Sequence, residues 1–229
     1  MKKFRNYLPI LLIVVASLTA WMLGVQKYLN FDSLREHQQM LVSFIDQHFV
    51  EAILLYSVTY IVIVWLAFPV ATFLTLAGGF FFGQWIGTTA TVLSATIGAS
   101  ILFISTKIAS QDLLDENTKP WIKKMKKGFQ EHAFTYLLTL RLMPIFPFFA
   151  INIAAAVLQI PFSTFFFGTL IGIIPGTFVY VTLGIGIRDV IQQPEFTPQV
   201  ILDPKLLIAF IGLGLLALLP IIYKKFRHG

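Results

Sequence analysis

The chain has 229 residues, of which 57% are hydrophobic and 12% charged, with a formal net charge of +6 and no cysteine. Soluble domains carry roughly 25% charged residues, so the composition excludes an ordinary soluble enzyme. The charges are also clustered, because residues 52–106 and 142–187 contain no acidic, basic or histidine side chain. Runs of that length suit a lipid bilayer, and they predict an all-α polytopic membrane protein.

Residues 1–50 are expected to hold a first transmembrane helix and an outer amphipathic helix. The uncharged run 8–25 follows a basic start. It is longer than the roughly 7–15 residues of a signal-peptide core, so an uncleaved helix is favoured over a signal peptide. In residues 26–51 apolar side chains recur at helical spacing on an acidic background, which predicts a helix lying on the membrane or on the protein itself.

The segment from Glu51 to about Gly83 predicts a re-entrant helical hairpin with its tip near Pro69. It is too apolar for a watery loop, and the part after Pro69 is too short to cross a bilayer. Pro69 breaks the helix, since proline has no N–H to donate. Non-helical backbone at membrane depth needs protein or a wet cavity around it, so the tip predicts a cavity. Residues 85–106 then form a full span.

A basic amphipathic helix is predicted over residues 119–131, with Pro120 in its first turn. Four lysines flank its apolar stripe: Lys123, Lys124, Lys126 and Lys127. Such a helix normally rests on anionic lipid headgroups. Two explanations stay open, a lipid-headgroup contact and the plain positive charge of a cytoplasmic loop, and the second is the more economical.

The second apolar half repeats the first. A helix starts over residues 132–140, the stretch 141–147 breaks it at Pro144 and Pro147, and residues 148–158 resume it. Residues 162–187 then form a full span. We therefore expect a membrane domain over residues 51–188, followed by an outer loop, a last span at residues 206–223 and a basic tail.

Topology relates the two halves. With the amino terminus inside, the three basic clusters at residues 2–5, 123–127 and 224–227 all fall on the cytoplasmic side. About four transmembrane helices then accompany two re-entrant hairpins that enter from opposite faces. This is an inverted repeat with broken helices, an arrangement associated with transporters. The expected location is the plasma or inner membrane, with both termini in the cytoplasm.

Arg141 is the outstanding candidate for function. It is the sole charged residue between His132 and Arg188, and a charge inside the membrane is costly. Its guanidinium suits a lipid phosphate, with Asn152, Pro69, Pro144 and Pro147 as further substrate-binding candidates. The alternative, given equal weight, is that Arg141 caps the free carbonyls of the broken helix.

Other chemistry is not expected. Glu51 is a candidate for proton coupling, although an interfacial place at a helix N-terminus explains it more simply. The four histidines lack the spacing of a metal site, and the membrane serines lack a partner base, so no metal, cofactor or catalytic residue is predicted. No nucleotide-binding fingerprint is present, and no nucleic-acid partner is expected.

Three motifs stand out along the chain: Gly79-Phe-Phe-Phe-Gly83, then Arg141-Leu-Met-Pro144-Ile-Phe-Pro147 with Asn152, then Gly168-Thr-Leu-Ile-Gly172-Ile-Ile-Pro175-Gly176 with Tyr180 and Gly184. Together they resemble the VTT domain, the SNARE-associated Golgi protein domain of the DedA superfamily. The resemblance implies membership of a superfamily that is linked to lipid scrambling, to translocation of polyprenyl-phosphate carriers and to membrane homeostasis. Two departures stand out: Ala156 replaces a glycine common in relatives, and the acidic residue that the bacterial DedA branch carries near Pro69 is missing. The chain therefore looks closer to the Tvp-like vesicle-membrane branch, and proton coupling is not carried over.

The expected function is a non-enzymatic translocase or scramblase for a phospholipid or polyprenyl phosphate, with Arg141 meeting the phosphate. Membrane lipids and anionic headgroups are the expected partners, and self-association into a homo-oligomer is left open. The competing class is a membrane-organisation or scaffold protein in which the hairpins only stabilise a bundle. A hydrated path to Pro69 and Arg141 separates the two, because a translocase needs one and a scaffold does not.

Overall fold

A computed structural model of the chain describes residues 40, 42–110, 133–142, 146–191, 208 and 211–212. Within these residues every regular element is helical, as the sequence predicts. Six helices are labelled here in chain order: α1 Phe49–Trp65, α2 Ala71–Ser110, α3 Ala133–Leu142, α4 Phe148–Val157, α5 Phe162–Gly172 and α6 Ile174–Ile191. Two stretches, Ala71–Ser110 and Phe162–Asp189, are long and apolar enough to cross a membrane.

The expected helix break at Pro69 is present between α1 and α2. The N–H of Ala67 donates to the carbonyl of Val64, and that of Phe68 to the carbonyl of Ile63, each at 3.0 Å. Ala67 has a φ of 55°, and the paired bonds form a Schellman end that satisfies the last carbonyls of α1. Pro69 follows where the helix cannot continue. The chain then reverses, and the first arm of α2 packs against α1.

Gly83 divides α2 into two arms. Its φ of 72° and ψ of −171° lie outside the helical region, in a conformation that side chains other than glycine rarely adopt. The arm before Gly83 is the return half of the first hairpin, and the arm after it is the long helix predicted over residues 85–106. That second arm continues to Ser110.

The second half contains the expected pair of shorter helices. Pro147 is the residue before α4, and α4 is followed by Gln159 in the same conformation in which Ala67 follows α1. The N–H of Gln159 donates to Ala156 and that of Ile160 to Ala155, with a φ of 57° at Gln159. Residues 143–145 are outside the described part, so Pro144 is not placed.

The helix predicted over residues 162–187 is interrupted once, at Ile173, between α5 and α6. Pro175 explains the interruption, because it has no N–H to donate to the carbonyl four residues earlier. Helical hydrogen bonds continue on both sides of this point, from the N–H of Ile173 to Thr169 and from the N–H of Thr177 to Ile173. The stretch is therefore a single long rod with a local irregularity.

Glycines set how closely the long helices approach. A Cβ placed on Gly79 would lie 2.1 Å from the carbonyl oxygen of Val181, and one on Gly184 would lie 2.0 Å from that of Leu76. Helices α2 and α6 therefore cross backbone against backbone, the type of contact that small residues permit in membranes. The buried core includes Phe103 of α2 and Phe165 of α5, whose rings stack with centroids 4.2 Å apart.

Several predictions fall outside the described residues. These are the first span at residues 8–25, the basic helix with Lys123, Lys124, Lys126 and Lys127, and most of the last span at residues 206–223. Of the last span, the described Gly212 lies against Val179 of α6. The side from which each hairpin enters the membrane stays a prediction.

Candidate functional site: an arginine-lined cavity between the helix breaks

A cavity of about 430 Å³ lies where the two halves of the chain meet. Its walls come from α1, both arms of α2, the end of α3, the start of α4 and the start of α6. The lining includes Tyr60, Thr72, Thr75, Ala95, Arg141, Pro147, Phe148, Ile151, Thr177 and Tyr180. The non-helical hairpin tip near Pro69 predicts a cavity, and the observed cavity lies beside both helix breaks.

A second, smaller cavity of about 170 Å³ brings the two breaks together directly. Pro69 and Phe68 line it from the first half, and Pro147 and Phe149 line it from the second. Thr72 and Phe148 border both cavities. Two of the predicted substrate-binding prolines, which are far apart in sequence, are therefore neighbours in space.

The position of Arg141 depends on the close packing of α3 against α5. A Cβ on Gly172 would lie 2.7 Å from the Cβ of Arg141, and one on Gly168 would lie 2.9 Å from a terminal carbon of Leu137. Arg141 and Leu137 are one helical turn apart, as are the two glycines. The Gly-x-x-x-Gly element of α5 thus forms the flat surface on which the last turn of α3 rests.

The guanidinium of Arg141 joins three helices. Its Nη2 donates to the Oδ1 of Asn152 in α4 and, at 2.9 Å, to the Oγ1 of Thr169 in α5. Its Nη1 reaches the carbonyl of Phe148 at 3.4 Å, the long end of a hydrogen bond. The same group lies 4.4 Å from the ring centroid of Phe148 and 5.7 Å from that of Phe165. The described contacts go to α4 and α5 rather than to the carbonyls that end α3.

All these partners are neutral, so the positive charge of Arg141 is not cancelled by a carboxylate among the described residues. The described acidic side chains are Asp46, Glu51 and Asp189, and the ion pair recorded there joins Asp189 to Arg188 at 3.3 Å. Neutral dipoles and aromatic faces stabilise a guanidinium without neutralising it. The site can therefore accept an anion.

Donor capacity is also left over around Arg141. Because arginine only donates, Asn152 must present its oxygen to it, which leaves the Nδ2 of Asn152 as a donor. This nitrogen and the Nε of Arg141 are buried, and neither has a hydrogen-bond partner within the described part of the chain. Asn152 itself is fully buried. A hydrogen-bond acceptor is what this cluster lacks.

Not every predicted site residue belongs to this cluster. Glu51 lies exposed in the first turn of α1 and lines neither cavity. Pro144 and the four lysines are outside the described residues. Sequence reasoning also missed Thr169, the partner of Arg141, and the hydroxyls of Thr72, Thr177 and Tyr180. The one feature of the sequence that could have indicated these residues is that each is a polar side chain inside an uncharged apolar run.

Comparisons with known proteins place these features in a family. The sequence model of the VTT domain matches residues 68–186. The transmembrane protein 41 homolog of Dictyostelium discoideum is 28% identical over 199 residues, which cover 86% of this chain and 58% of that protein. Transmembrane protein 41B of Mus musculus is 25% identical over 200 residues, which cover 86% of this chain and 67% of that protein. No solved structure matches the chain.

Proposed function

We propose that this chain, which belongs to the VTT domain family, moves a lipid phosphate across the membrane, because no carboxylate among the described residues cancels the charge of Arg141 in its cavity. The proposed activity is translocation or scrambling of a phospholipid or polyprenyl phosphate in support of membrane homeostasis. The resemblance seen in the sequence is confirmed at the level of the family, and the named relatives are transmembrane proteins. Placement on the Tvp-like branch stays a prediction.

The observation that carries the proposal is Arg141 on the wall of the cavity between two helix breaks. A headgroup phosphate must leave water to cross the bilayer, and a charge-assisted hydrogen bond offsets part of that loss. Nη2 is held by Asn152 and Thr169, whereas Nη1 has one long contact to the carbonyl of Phe148. Of the two terminal nitrogens, Nη1 is therefore the one that turns to a ligand at the smaller cost.

The rest of the proposal follows the sequence. Lipids and their anionic headgroups are the proposed partners, with the lysines of residues 123–127 on the cytoplasmic surface. The protein is proposed to be a multi-pass protein of the plasma or inner membrane, to have both termini in the cytoplasm and to catalyse no covalent reaction. Because the chain spans 58% of the Dictyostelium relative, the activity of that whole protein is not assigned to it.

The second candidate function is a membrane-organisation or scaffold protein. One observation favours it: Arg141 joins α3, α4 and α5 through its hydrogen bonds, which is also what a purely structural residue would do. In that case the cavity would be a by-product of the two breaks.

The deciding experiment measures lipid translocation by the purified chain in liposomes containing labelled phospholipid or polyprenyl phosphate. Arg141→Lys keeps the charge but loses the planar fork, so we expect a partial defect. Arg141→Gln keeps donors for Asn152 or Thr169 but loses the charge, and we expect translocation to be abolished. Arg188→Gln is the matched control, because Arg188 lies near the end of α6 and lines neither cavity. Wild-type translocation rates in a folded Arg141→Gln protein would favour the scaffold.

A further inference from the structure

Three hydroxyl groups line the same cavity as Arg141 and have no assigned purpose. Thr72 lies in the first turn of α2, and Thr177 and Tyr180 lie one turn apart on α6. Thr177 is only 8% exposed, Tyr180 is half-buried and Thr72 is exposed. In the part of the chain that the structure describes, none of the three side chains makes a hydrogen bond.

Several other threonines in these helices use their hydroxyls in hydrogen bonds. Thr96 and Thr139 each donate to the carbonyl one turn earlier, at 2.7 and 2.8 Å. Thr75, also in the cavity wall, donates to the carbonyl of Ala71 at 3.0 Å. Its proton is then committed, so Tyr60 must be the donor in the 2.9 Å bond between them. Among the cavity hydroxyls, Thr72, Thr177 and Tyr180 are the ones still able to donate.

The surroundings of these hydroxyls favour negative charge. Helix α2 begins at Ala71 and α4 begins at Phe148, and both residues line the cavity. The first N–H groups of a helix carry a partial positive charge, which adds to the charge of Arg141. None of the described residues that line the cavity is a carboxylate. Donors therefore face the cavity from several sides.

Building on the proposed function, we propose that Thr72, Thr177 and Tyr180 form a hydroxyl wall that binds the lipid phosphate opposite Arg141. Each hydroxyl donates a hydrogen bond to a phosphoryl oxygen, while the guanidinium approaches from the second half of the chain. The phosphate is thus bound between Thr72, from the first hairpin, and Arg141, from the second. Binding requires both sides, and this requirement makes the wall testable without a transport assay.

The test measures binding of dioctanoyl phosphatidate to the purified full chain in detergent. The readout is the rise in the melting temperature of the protein as the ligand is added. Dioctanoylglycerol is the control ligand, because it has the same acyl chains and no phosphate. Thr72→Val, Thr177→Val and Tyr180→Phe each remove one donor with little change of shape. We expect each to weaken phosphatidate binding by about tenfold or more, the usual effect of losing a hydrogen bond to a charged group. Thr177→Ser keeps a hydroxyl at this position and, unlike Thr177→Val, should keep the wild-type affinity.

Two matched variants remove hydroxyls elsewhere and should bind like wild type. They are Thr89→Val on α2 and Tyr136→Phe on α3, neither of which lines this cavity. Wild-type affinity in all three wall variants would overturn the hydroxyl wall and leave the proposed function standing. Hydroxyl-dependent binding by a chain that moves no lipid in liposomes would support the wall and overturn the proposed function. The same dependence with inorganic phosphate alone would support the wall and assign it to a free phosphate.

Discussion

Replacing Gly172 by alanine tests whether the packing of α5 against α3 positions Arg141. The new Cβ would lie 2.7 Å from the Cβ of Arg141, whereas carbon atoms in contact are roughly 3.5–4.0 Å apart. The Cβ of Arg141 is fixed to the backbone and cannot rotate away, so α3 must move by about 1 Å. That shift would stretch the 2.9 Å bond from Nη2 to Thr169 toward roughly 4 Å, beyond hydrogen-bonding distance.

The expected cost follows from the bonds that are lost. Two hydrogen bonds to a charged group, to Thr169 and Asn152, contribute about 1–2 kcal/mol each inside a membrane protein, or roughly 2–4 kcal/mol together. For a chain of this size we expect the melting temperature to fall by roughly 4–16 °C. The assay is thermal unfolding of the purified protein in detergent, with lipid translocation measured on the same preparation below its melting temperature.

Gly176 provides the matched control, one turn further along the same rod. A Cβ there meets nothing within 4 Å, so Gly176→Ala should be neutral or stabilising by up to about 1 kcal/mol, the helix preference of alanine. Equal melting temperatures for Gly172→Ala and Gly176→Ala would refute the reasoning. A stable Gly172→Ala protein with normal translocation would also show that the position of Arg141 tolerates a shift of this size.

Three further predictions concern other parts of the chain. Gly184→Ala should destabilise the crossing of α2 and α6 by roughly 1–3 kcal/mol, because its Cβ would lie 2.0 Å from a backbone carbonyl oxygen. Thermal unfolding measures this effect, and an unchanged melting temperature would contradict it. Glu51→Gln should leave the pH dependence of translocation unchanged, since Glu51 is exposed and lines neither cavity. A shifted pH profile between pH 6 and 8 would restore it as a coupling residue. Single cysteines at Lys124 and Lys225 should react only from the cytoplasm and one at Glu195 only from outside, and labelling of position 124 from outside would overturn the inverted topology.

The helix ends show how far local sequence reasoning extends. Pro69, Pro147 and Pro161 interrupt their helices because proline lacks an N–H, a property that depends on no distant residue. The conformation just before two of these breaks was not predictable in the same way. Ala67 and Gln159 adopt the left-handed conformation that is usually left to glycine, and the paired carbonyl contacts around them decide it.

The sequence by itself determined the membrane character, the all-helical class and the helix breaks at Pro69 and Pro147, and it made Arg141 the leading candidate for function. Each of these follows from composition, from the chemistry of one residue type or from the cost of a charge in lipid. Only the tertiary structure decided which residues surround Arg141. Thr169 and Asn152 reach it because Gly168 and Gly172 let α3 approach α5, and this depends on how the helices pack. The meeting of the two breaks in one cavity likewise depends on contacts between distant segments, which no local pattern specifies.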